Sequence, residues 1–287
     1  INIPKDNVSL RGNGNATILK RMYDSTSANS GPTARGLITL MGKSGCKIQG
    51  LQIDGNRATY TASHNSGIFL KSSSDNTITG NTCNNNHHGI YLYGSSNNTI
   101  TGNTCNNNYN SGIHLYEFSN DNTVTGNTCN NNNRYGIYLD TNGNDNTITG
   151  NTCTNNNNYG IYLIASNNNT VTSNTCTDNS NIGICLYYSN NNTVTSNTCT
   201  DNSNIGIYLY GSSNNTVTGN TCNNSNYGNY GIYLYSSSNN NTVTGNTCNN
   251  NNYAGISLSK SSNNTVTGNT CIRGTGTPED YATDQYT

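Results

Sequence analysis

A nine-residue stretch at positions 97–105, Asn-Asn-Thr-Ile-Thr-Gly-Asn-Thr-Cys, returns along the chain and constrains its fold more than any other feature. The copies are 22 to 26 residues apart, and each ends in a cysteine that follows an Ile or Val by five residues. The nine cysteines are Cys83, Cys105, Cys129, Cys153, Cys176, Cys199, Cys222, Cys248 and Cys271. A period of this size predicts a solenoid or a propeller, in which each unit contacts only its neighbours.

The repeat unit contains three short strand patterns. Each regular unit begins with Gly-Ile-x-Leu, whose alternation indicates a strand with one buried face, and continues with Thr-(Ile/Val)-Thr and then Thr-Cys. No segment has helical periodicity. The sequence therefore predicts an all-β fold, a single-stranded parallel β-helix of about 11 coils of about 23 residues with three short strands per coil. The general chirality of strand crossovers makes it right-handed.

We expect residues 1–287 to form one β-helix domain. Residues 1–66 would form irregular N-terminal coils, residues 67–272 the regular repeats, and residues 273–287 a C-terminal tail. Because only 30% of the residues are hydrophobic and 9% are charged, a compact core is not expected, but a solenoid buries only a narrow column of apolar side chains.

Charge and cysteine usage limit the partners and the compartment. The net charge is −1, with 12 basic and 13 acidic residues scattered along the chain, so we expect no nucleic-acid partner. No segment approaches the roughly 20 apolar residues of a membrane span. Eleven cysteines and few lysines favour a secreted protein, extracellular or at the cell surface. The chain starts in strand pattern at Ile1 and Ile3, which suggests either that a secretion signal has been removed or that the sequence has been shortened at this end.

The repeated cysteines form one predicted column, the cysteine ladder. Ile53 falls in the same column one coil earlier, so the column faces the core. Buried free thiols and disulfides between neighbouring coils both fit this position. A metal site fits less well, because one column supplies a line of thiols and not a tetrahedron. Cys185 differs, since it replaces the Tyr of Gly-Ile-Tyr-Leu; we expect it to be exposed and available for an intermolecular bond.

Tyrosines occupy the outward positions of the first strand and form a predicted aromatic face. Its members are Tyr91, Tyr93, Tyr116, Tyr138, Tyr162, Tyr187, Tyr208, Tyr210, Tyr233 and Tyr235, with Phe69 at one end. Exposed amphipathic faces of this size mark interaction surfaces. The predicted partner is another copy of the chain or a sugar, and in-register stacking that only stabilises the sheet is the alternative.

Six Asn-Asn-Thr sequons recur with the repeat and are candidate glycosylation sites. Their first residues are Asn97, Asn168, Asn191, Asn214, Asn240 and Asn263, and Asn7, Asn15 and Asn223 begin other sequons. Asn is also the residue that a tight turn needs, because it tolerates a left-handed φ.

The run Asn-Asn-Thr-Ile-Thr-Gly-Asn-Thr followed by Gly-Ile-Tyr-Leu resembles the right-handed parallel β-helix repeat of the pectate-lyase-like superfamily. The resemblance is greatest to NosD-type repeats of secreted archaeal and bacterial surface proteins, and it covers about residues 36–272. It is specific for the fold and much less so for an activity.

Acidic and histidine residues give no clear active site from the sequence. Asp121 and Asp145 share one column, as do Asp178 and Asp201, but a polysaccharide lyase of this superfamily would also need a basic residue over the carboxylates. Arg134 is placed in a loop, and Lys260 and Arg273 lie near the far end. We therefore interpret the aspartates as solvated turn residues. The histidines, His64, His87, His88 and His114, form no regular array that would carry the copper association of NosD proteins. No metal or other cofactor is predicted.

These observations favour a structural role. We expect a self-assembling protein of an extracellular sheath, filament or surface layer, similar to sheath proteins of methanogenic archaea and without catalysis. Its predicted partners are further copies, through axial and lateral contacts, and a cell-surface glycan. The alternatives are a carbohydrate-active β-helix, either a polysaccharide lyase or a hydrolase, and a glycan-binding adhesive module.

Overall fold

The computed structural model describes residues 1–25, 35–225 and 230–272. In these ranges the regular structure consists of β-strands and one 3-10 turn, Gly14–Ala16. The first strands are β1 (Ser9–Arg11), β2 (Ile18–Lys20), β3 (Gly36–Met41), β4 (Lys47–Gln49), β5 (Gln52–Asp54), β6 (Ser66–Lys71), β7 (Thr77–Thr79) and β8 (Thr82–Asn84). The next are β9 (His88–Tyr93), β10 (Thr99–Thr101), β11 (Ser111–Tyr116), β12 (Thr123–Thr125), β13 (Tyr135–Asp140), β14 (Thr147–Thr149), β15 (Tyr159–Ile164) and β16 (Thr170–Thr172). The last are β17 (Ile182–Tyr187), β18 (Thr193–Thr195), β19 (Ile205–Tyr210), β20 (Thr216–Thr218), β21 (Tyr230–Tyr235), β22 (Thr242–Thr244), β23 (Ala254–Ser259) and β24 (Thr265–Thr267).

The strands form three parallel sheets that run along the axis of a solenoid. The eleven-stranded sheet stacks the Thr-(Ile/Val)-Thr segments, from β1 and β4 to β24. The ten-stranded sheet stacks the six-residue strands, from β3 to β23, and the third sheet holds β2, β5 and β8. All pairing joins adjacent coils in the register of the sequence repeat, so that Ile100 pairs with Ile78 on one side and Val124 on the other. The predicted all-β parallel β-helix is confirmed.

The third sheet is shorter than the sequence pattern suggests. Beyond β8 the Thr-Cys segments pair through single bridges, from Thr82 with Thr104 to Thr247 with Thr270.

The core is a column lined by all three sheets. In one coil it consists of Ile137 and Leu139 from the ten-stranded sheet, Ile148 from the eleven-stranded sheet and Cys153 from the third side, all without solvent exposure. Each fully buried Ile or Leu contributes roughly 1.5–3 kcal/mol relative to an exposed one. A few such residues per coil suffice because the coils above and below close the column.

The structure places the cysteine ladder on this inner side. The members from Cys83 to Cys248 are buried, and Ile53 pairs with Cys83 in the same ladder. Cys271 departs from the expected burial: it is exposed, because no described coil covers it. The ten cysteines from Cys46 to Cys248 are free thiols, and burial raises the pKa of the Cys83 and Cys105 thiols.

Three ladders of asparagine side chains follow the bends between the sheets. In each ladder the side-chain Oδ1 of an asparagine accepts a hydrogen bond from the backbone N–H of the equivalent asparagine in the preceding coil. In most pairs the side-chain Nδ2 of that preceding asparagine donates to the same Oδ1. One ladder runs through Asn81, Asn103, Asn127, Asn151, Asn174, Asn197, Asn220, Asn246 and Asn269. The others start at Asn76 and Asn86. Because the strand ladder is interrupted at the bends, these amides satisfy backbone groups that would otherwise be buried without partners.

Candidate functional site

The repeat is interrupted on the outer face of the ten-stranded sheet. In β9 and β13 the outward position of Gly-Ile-x-Leu holds Tyr91 and Tyr138, whereas the strand between them holds His114. Two further histidines, His87 and His88, lie at the start of β9. We call His87, His88 and His114 the histidine cluster.

The rings of the histidine cluster are in mutual contact. The His114 ring stacks between Tyr91, at 5.0 Å between centroids, and Tyr138, at 4.5 Å. The His88 ring centroid lies 4.8 Å from that of His114 and 4.6 Å from that of His87. Alternating imidazole and phenol rings therefore cover three adjacent coils.

The cluster is almost removed from solvent and incompletely hydrogen-bonded. His87, His88 and His114 are 8%, 6% and 7% exposed. His88 Nδ1 lies 2.8 Å from Ser111 Oγ, but both ring nitrogens of His114 and Nδ1 of His87 have no partner among the described residues. Buried polar atoms without partners cost about 1–3 kcal/mol each, so their presence calls for a functional explanation.

Burial keeps the imidazoles neutral. Desolvation lowers the pKa of His114 to about 3, and desolvation together with nearby Arg57 lowers the pKa of His87 to about 3. Desolvation also holds the pKa of His88 well below its usual value. At neutral pH each ring therefore has one nitrogen that can accept a proton.

Three arginines surround the cluster. Arg35 lies over the Phe69 ring, with 5.8 Å from guanidinium carbon to ring centroid, and its charge opposes the rise in the Tyr91 pKa that desolvation causes. Arg57 lies 4.3 Å over the Tyr109 ring. Guanidinium groups bind carboxylates through paired N–H donors, and their aromatic neighbours hold them in place.

Arg134 lies in a loop, as predicted, and this loop borders the candidate site. Arg134 immediately precedes β13 and, together with Arg35 and His87, lies in a column that runs along the edge of the ten-stranded sheet. Asn65 and Asn110 occupy the coils between them, so the charged or titratable members of the column recur every second coil. A basic residue is therefore next to the histidine cluster.

Two carboxylates lie at the other margin of the cluster. Desolvation together with the nearby Asp140 carboxylate raises the pKa of Tyr138, and Glu117 raises the pKa of Tyr93. Glu117 has a left-handed φ of 49°, and its Oε2 is buried without a partner. Neutral imidazoles, phenols, guanidinium groups and carboxylates thus meet on one surface, which can bind an anionic ligand and transfer a proton to or from it.

The histidine cluster was not predicted from the sequence, because the prediction considered only positions that recur regularly in the repeat. In a repeat protein the regular positions are explained by the fold, whereas a departure from the repeat requires another explanation. The replacement of Tyr by His at position 114 was the available signal, and the proximity of His87 and His88 followed from the register.

The tyrosine face is present, but its rings pack largely on each other. Tyr138 and Tyr162 stack at 5.2 Å with an interplanar angle of 5°, and Tyr187 and Tyr210 stack at 4.7 Å. Tyr91 is buried, whereas the other predicted members are half-buried.

The prediction that Cys185 is exposed is wrong. It pairs in register with Tyr162 and Tyr208 on the outer face, as expected, but is only 1% exposed. The thiol is shorter than the phenols beside it, so their rings cover it. Desolvation accordingly raises its pKa, which does not suit a reactive surface thiol.

The candidate glycosylation sites lie at exposed turns. Exposed asparagines with a left-handed φ begin the repeat sequons at Asn97, Asn168, Asn191, Asn214, Asn240 and Asn263. Asn7 is also exposed, and Asn223 is half-buried. The paired aspartates occupy equivalent exposed left-handed positions, at Asp121 and Asp145 and at Asp178 and Asp201. Arg273 and the tail 273–287 lie outside the described residues.

The described ranges contain neither a metal-binding cluster nor a membrane-spanning helix. No group of three or more His, Cys, Asp or Glu side chains there is arranged to hold a metal ion. Within the same ranges no helix has the length and apolarity needed to cross a membrane.

Comparison with known families identifies the chain's relatives. The family model described as a right handed beta helix region matches residues 35–181 and 120–271. The chain belongs to this β-helix family. No curated protein matches the sequence.

Solved β-helix structures resemble the chain at low sequence identity. The A-module of a mannuronan C-5 epimerase from Azotobacter vinelandii is 20% identical, with a TM-score of 0.78 over 95% of this chain and 80% of that one. A double mutant of the periplasmic alginate epimerase AlgG is 19% identical, with a TM-score of 0.74 over 82% of this chain and 62% of that one. The Dettilon tailspike protein is 18% identical, with a TM-score of 0.70 over 94% of this chain and 60% of that one. At these identities the similarity shows the β-helix fold.

These comparisons overturn the structural role predicted from the sequence. The chain resembles carbohydrate epimerases and a tailspike, so the prediction of a non-catalytic sheath or filament protein is wrong.

Proposed function

We propose that the chain is a carbohydrate-active β-helix enzyme that acts on a uronic-acid residue of a polysaccharide outside the cytoplasm. The observation that carries this proposal is the buried, neutral histidine cluster between arginines and tyrosines on the outer face of the ten-stranded sheet. Similarity in fold to a mannuronan epimerase and to a periplasmic alginate epimerase supports the substrate class and the location.

The reaction begins with removal of the proton on the carbon next to the substrate carboxylate. Arg35, assisted by Arg57 and Arg134, binds the carboxylate and stabilises the negative charge that develops on it. His114 accepts the proton, because both of its ring nitrogens are without partners and neither is charged. The C–H electron pair then moves into the carboxylate as an enediolate.

Two outcomes are chemically open to this intermediate. Return of a proton from the opposite face, by the Tyr91 hydroxyl that Arg35 polarises, inverts the carbon and gives epimerisation. Loss of the glycosidic oxygen at the neighbouring carbon, protonated by the same phenol, gives elimination. Both begin with the same proton transfer, and that step is what the cluster is built to perform.

Substrate binding strengthens the base. In the empty site the pKa of His114 is about 3, too low for an efficient proton acceptor at neutral pH. A carboxylate brought next to the ring favours the imidazolium and raises that pKa. His114 is therefore expected to act as a base only when an anionic sugar is bound beside it.

Hydrolysis fits the site less well. A glycoside hydrolase needs two carboxyl groups facing each other, about 5–9.5 Å apart across the sugar. Asp140 accepts a hydrogen bond from the Thr141 hydroxyl, and the paired aspartates lie at exposed turns.

Solvent deuterium exchange tests the proposal. Mannuronan oligosaccharides incubated with the protein in D₂O should acquire deuterium at C-5, detected by proton NMR. His114→Tyr should abolish exchange while preserving the fold, because the neighbouring coils carry tyrosine at this position. Tyr60→Phe, outside the ten-stranded sheet, is the matched control and should exchange at the wild-type rate.

Two results would contradict the proposal. Exchange that persists in His114→Tyr would exclude His114 as the base. Oligosaccharide binding without exchange in the wild-type protein, across mannuronate, guluronate, galacturonate and glucuronate oligomers, would indicate a glycan-binding module.

A further inference from the structure

The outer face of the ten-stranded sheet changes character after β13. The outward residues of β15, β17, β19 and β21, with the column beside them, are tyrosine, isoleucine, asparagine and the buried Cys185. Residues 158–164, 181–187, 204–210 and 230–235 contain no Asp, Glu, Lys or Arg. We call the tyrosines on these four strands the tyrosine track.

The track begins where the histidine cluster ends. Tyr138, which stacks on His114, also stacks on Tyr162 of β15, at 5.2 Å between centroids. The same column continues through Cys185 and Tyr208 to Tyr233. A polysaccharide bound at the cluster and lying along the solenoid axis would therefore continue over the track.

The track presents neutral hydrogen-bonding groups. Because neighbouring rings stack face to face along the axis, as Tyr208 and Tyr233 do at 5.5 Å, their edges and hydroxyls face outward. Desolvation raises the pKa of Tyr162, Tyr208 and Tyr233, so the phenols stay protonated and can donate as well as accept. These groups match sugar hydroxyls.

The column beside the track is equally uncharged. Asn158, Asn181 and Asn204 form a ladder in which each side-chain N–H donates to the amide oxygen of the preceding coil, at 3.0 and 2.7 Å. In the coils of the cluster the equivalent positions are Arg35, His87 and Arg134. On the track half the cation is Lys260, which lies 5.6 Å over the Tyr235 ring at the far end, so the coils nearest the cluster on that side are uncharged.

We infer that the substrate is a heteropolysaccharide, in which the uronic acid that reaches the histidine cluster is followed by neutral sugars that lie on the tyrosine track. This inference rests on the proposed function. Four strands at about 4.8 Å spacing span roughly 14 Å from the first to the last, enough for a few linked pyranose rings. A polymer of uronic acids alone would place a carboxylate on each of those rings, and before Lys260 at the far end no cation of the track repays its desolvation.

Binding measurements with defined oligosaccharides test the inference. The probes are a hyaluronan decasaccharide, which alternates glucuronate with N-acetylglucosamine, cellohexaose, which is neutral, and a mannuronate decasaccharide, which is charged at every unit. The variant Tyr162→Phe/Tyr208→Phe/Tyr233→Phe removes three hydroxyls and keeps the rings; Phe69 shows that the column accepts phenylalanine. Tyr60→Phe, outside the sheet, is the matched control.

The affinity of the triple variant for the hyaluronan decasaccharide or for cellohexaose should be about tenfold or more below that of the wild type. Each neutral hydrogen bond contributes about 0.5–1.5 kcal/mol, and a loss of 1.4 kcal/mol lowers the affinity tenfold. Tyr60→Phe should bind as the wild type does, and mannuronate binding should be weaker than that of the affected probe. Tighter binding of mannuronate than of both other probes, or no effect of the triple variant on either of them, would overturn the inference. So would a triple variant that changes only self-association in sedimentation velocity.

The same experiments separate this inference from the proposed reaction. If His114→Tyr and the wild type exchange no deuterium but neutral-sugar binding still depends on the track hydroxyls, the reaction is wrong and the neutral-sugar specificity stands. If deuterium exchange occurs on mannuronate and the triple variant binds all three probes as the wild type does, the proposed reaction stands and the inferred specificity is wrong.

Discussion

His114 shows how one substitution changes the role of a repeat position. The equivalent tyrosines form a stacked column, in which each phenol keeps a polar end at the surface. The imidazole is shorter, so the rings of Tyr91 and Tyr138 enclose it and leave both nitrogens without partners. The fold tolerates this cost because the surrounding coils are regular, and a functional site is where such a cost is expected.

The buried histidines should make the protein sensitive to acid. Their pKa is about 6.5 in the unfolded chain and is lowered in the folded protein, to about 3 for His87 and His114. Below pH 6.5 the unfolded chain binds protons that the folded protein does not, so the free energy of unfolding falls as pH falls from 6.5 towards 3. Each histidine contributes up to about 1.4 kcal/mol per pH unit inside this window.

Chemical denaturation between pH 7 and pH 4 measures this slope. His114→Tyr should reduce it by one proton, whereas Tyr210→Phe should leave it unchanged. An equal slope in His114→Tyr and the wild type would show that His114 is protonated in the folded protein.

At the scale of the elements, the asparagine ladders hold together the bends that the strands leave open. Asn151 donates to the Val124 carbonyl at 2.9 Å and to Asn174 Oδ1 at 3.0 Å. Its own Oδ1 accepts from the backbone and side-chain N–H groups of Asn127, at 2.9 and 3.0 Å. One buried amide thus makes four hydrogen bonds across three coils.

Asn151→Ala should destabilise the protein by roughly 2–4 kcal/mol, because it leaves the Val124 carbonyl and the Asn127 N–H groups buried without partners. Asn157→Ala is the control: this side chain is exposed and makes one bond, to Asn133 at 2.8 Å, so we expect a loss of about 0.5 kcal/mol or less. Urea denaturation distinguishes the two. Equal losses would mean that water replaces the ladder bonds at no cost.

The glycine of Gly-Ile-x-Leu fixes how closely the ten-stranded sheet approaches the cysteine ladder. A Cβ on Gly136 would lie 2.6 Å from the Gly160 carbonyl oxygen and 2.8 Å from Cys153 Cβ. The turn glycine Gly126 has a φ of 60° and open space where its Cβ would be.

These two glycines separate packing from backbone conformation. Gly136→Ala should cost about 3 kcal/mol or more, since the backbone must shift. Gly126→Ala should cost about 1 kcal/mol, from the left-handed φ alone. Thermal unfolding provides the comparison, and a milder effect at Gly136 than at Gly126 would contradict the packing described for the ladder.

The strands and their register could be predicted from the sequence because both are periodic. Ile78, Ile100 and Val124 pair as the repeat requires, and Ile53 joins Cys83 as the alignment of units implies. The asparagine ladders were harder to foresee. Asn97 and Asn98 are adjacent residues of the same type, yet Asn97 is an exposed turn residue with a left-handed φ, whereas Asn98 is buried and hydrogen-bonded to Asn122 of the next coil. This difference depends on how the backbones of neighbouring coils are placed.

At the scale of the whole molecule, the two halves of the chain carry different outer faces. The histidines and the arginines around them come from the first half, whereas the outer face of the ten-stranded sheet in the second half is mostly neutral. The candidate site could not be predicted from residue types alone, because Arg35, His87 and Arg134 are far apart in sequence and meet only through the stacking of coils. The burial of Cys185 likewise depends on its neighbours, not on its own position.

The asparagine ladders also have an electrical consequence for the rod. In the ladder through Asn151 every amide oxygen faces the preceding coil and one N–H faces the following coil, so the amide dipoles point the same way and add. As in an α-helix, aligned dipoles give a moment along the axis, here with its positive pole towards the C-terminal coils. Electric birefringence should detect a permanent moment parallel to the long axis that survives at the isoelectric pH. A moment that lies across the axis would show that the three ladders are cancelled by the rest of the chain. With such a moment, the two ends of the rod differ in polarity even though the chain is nearly neutral.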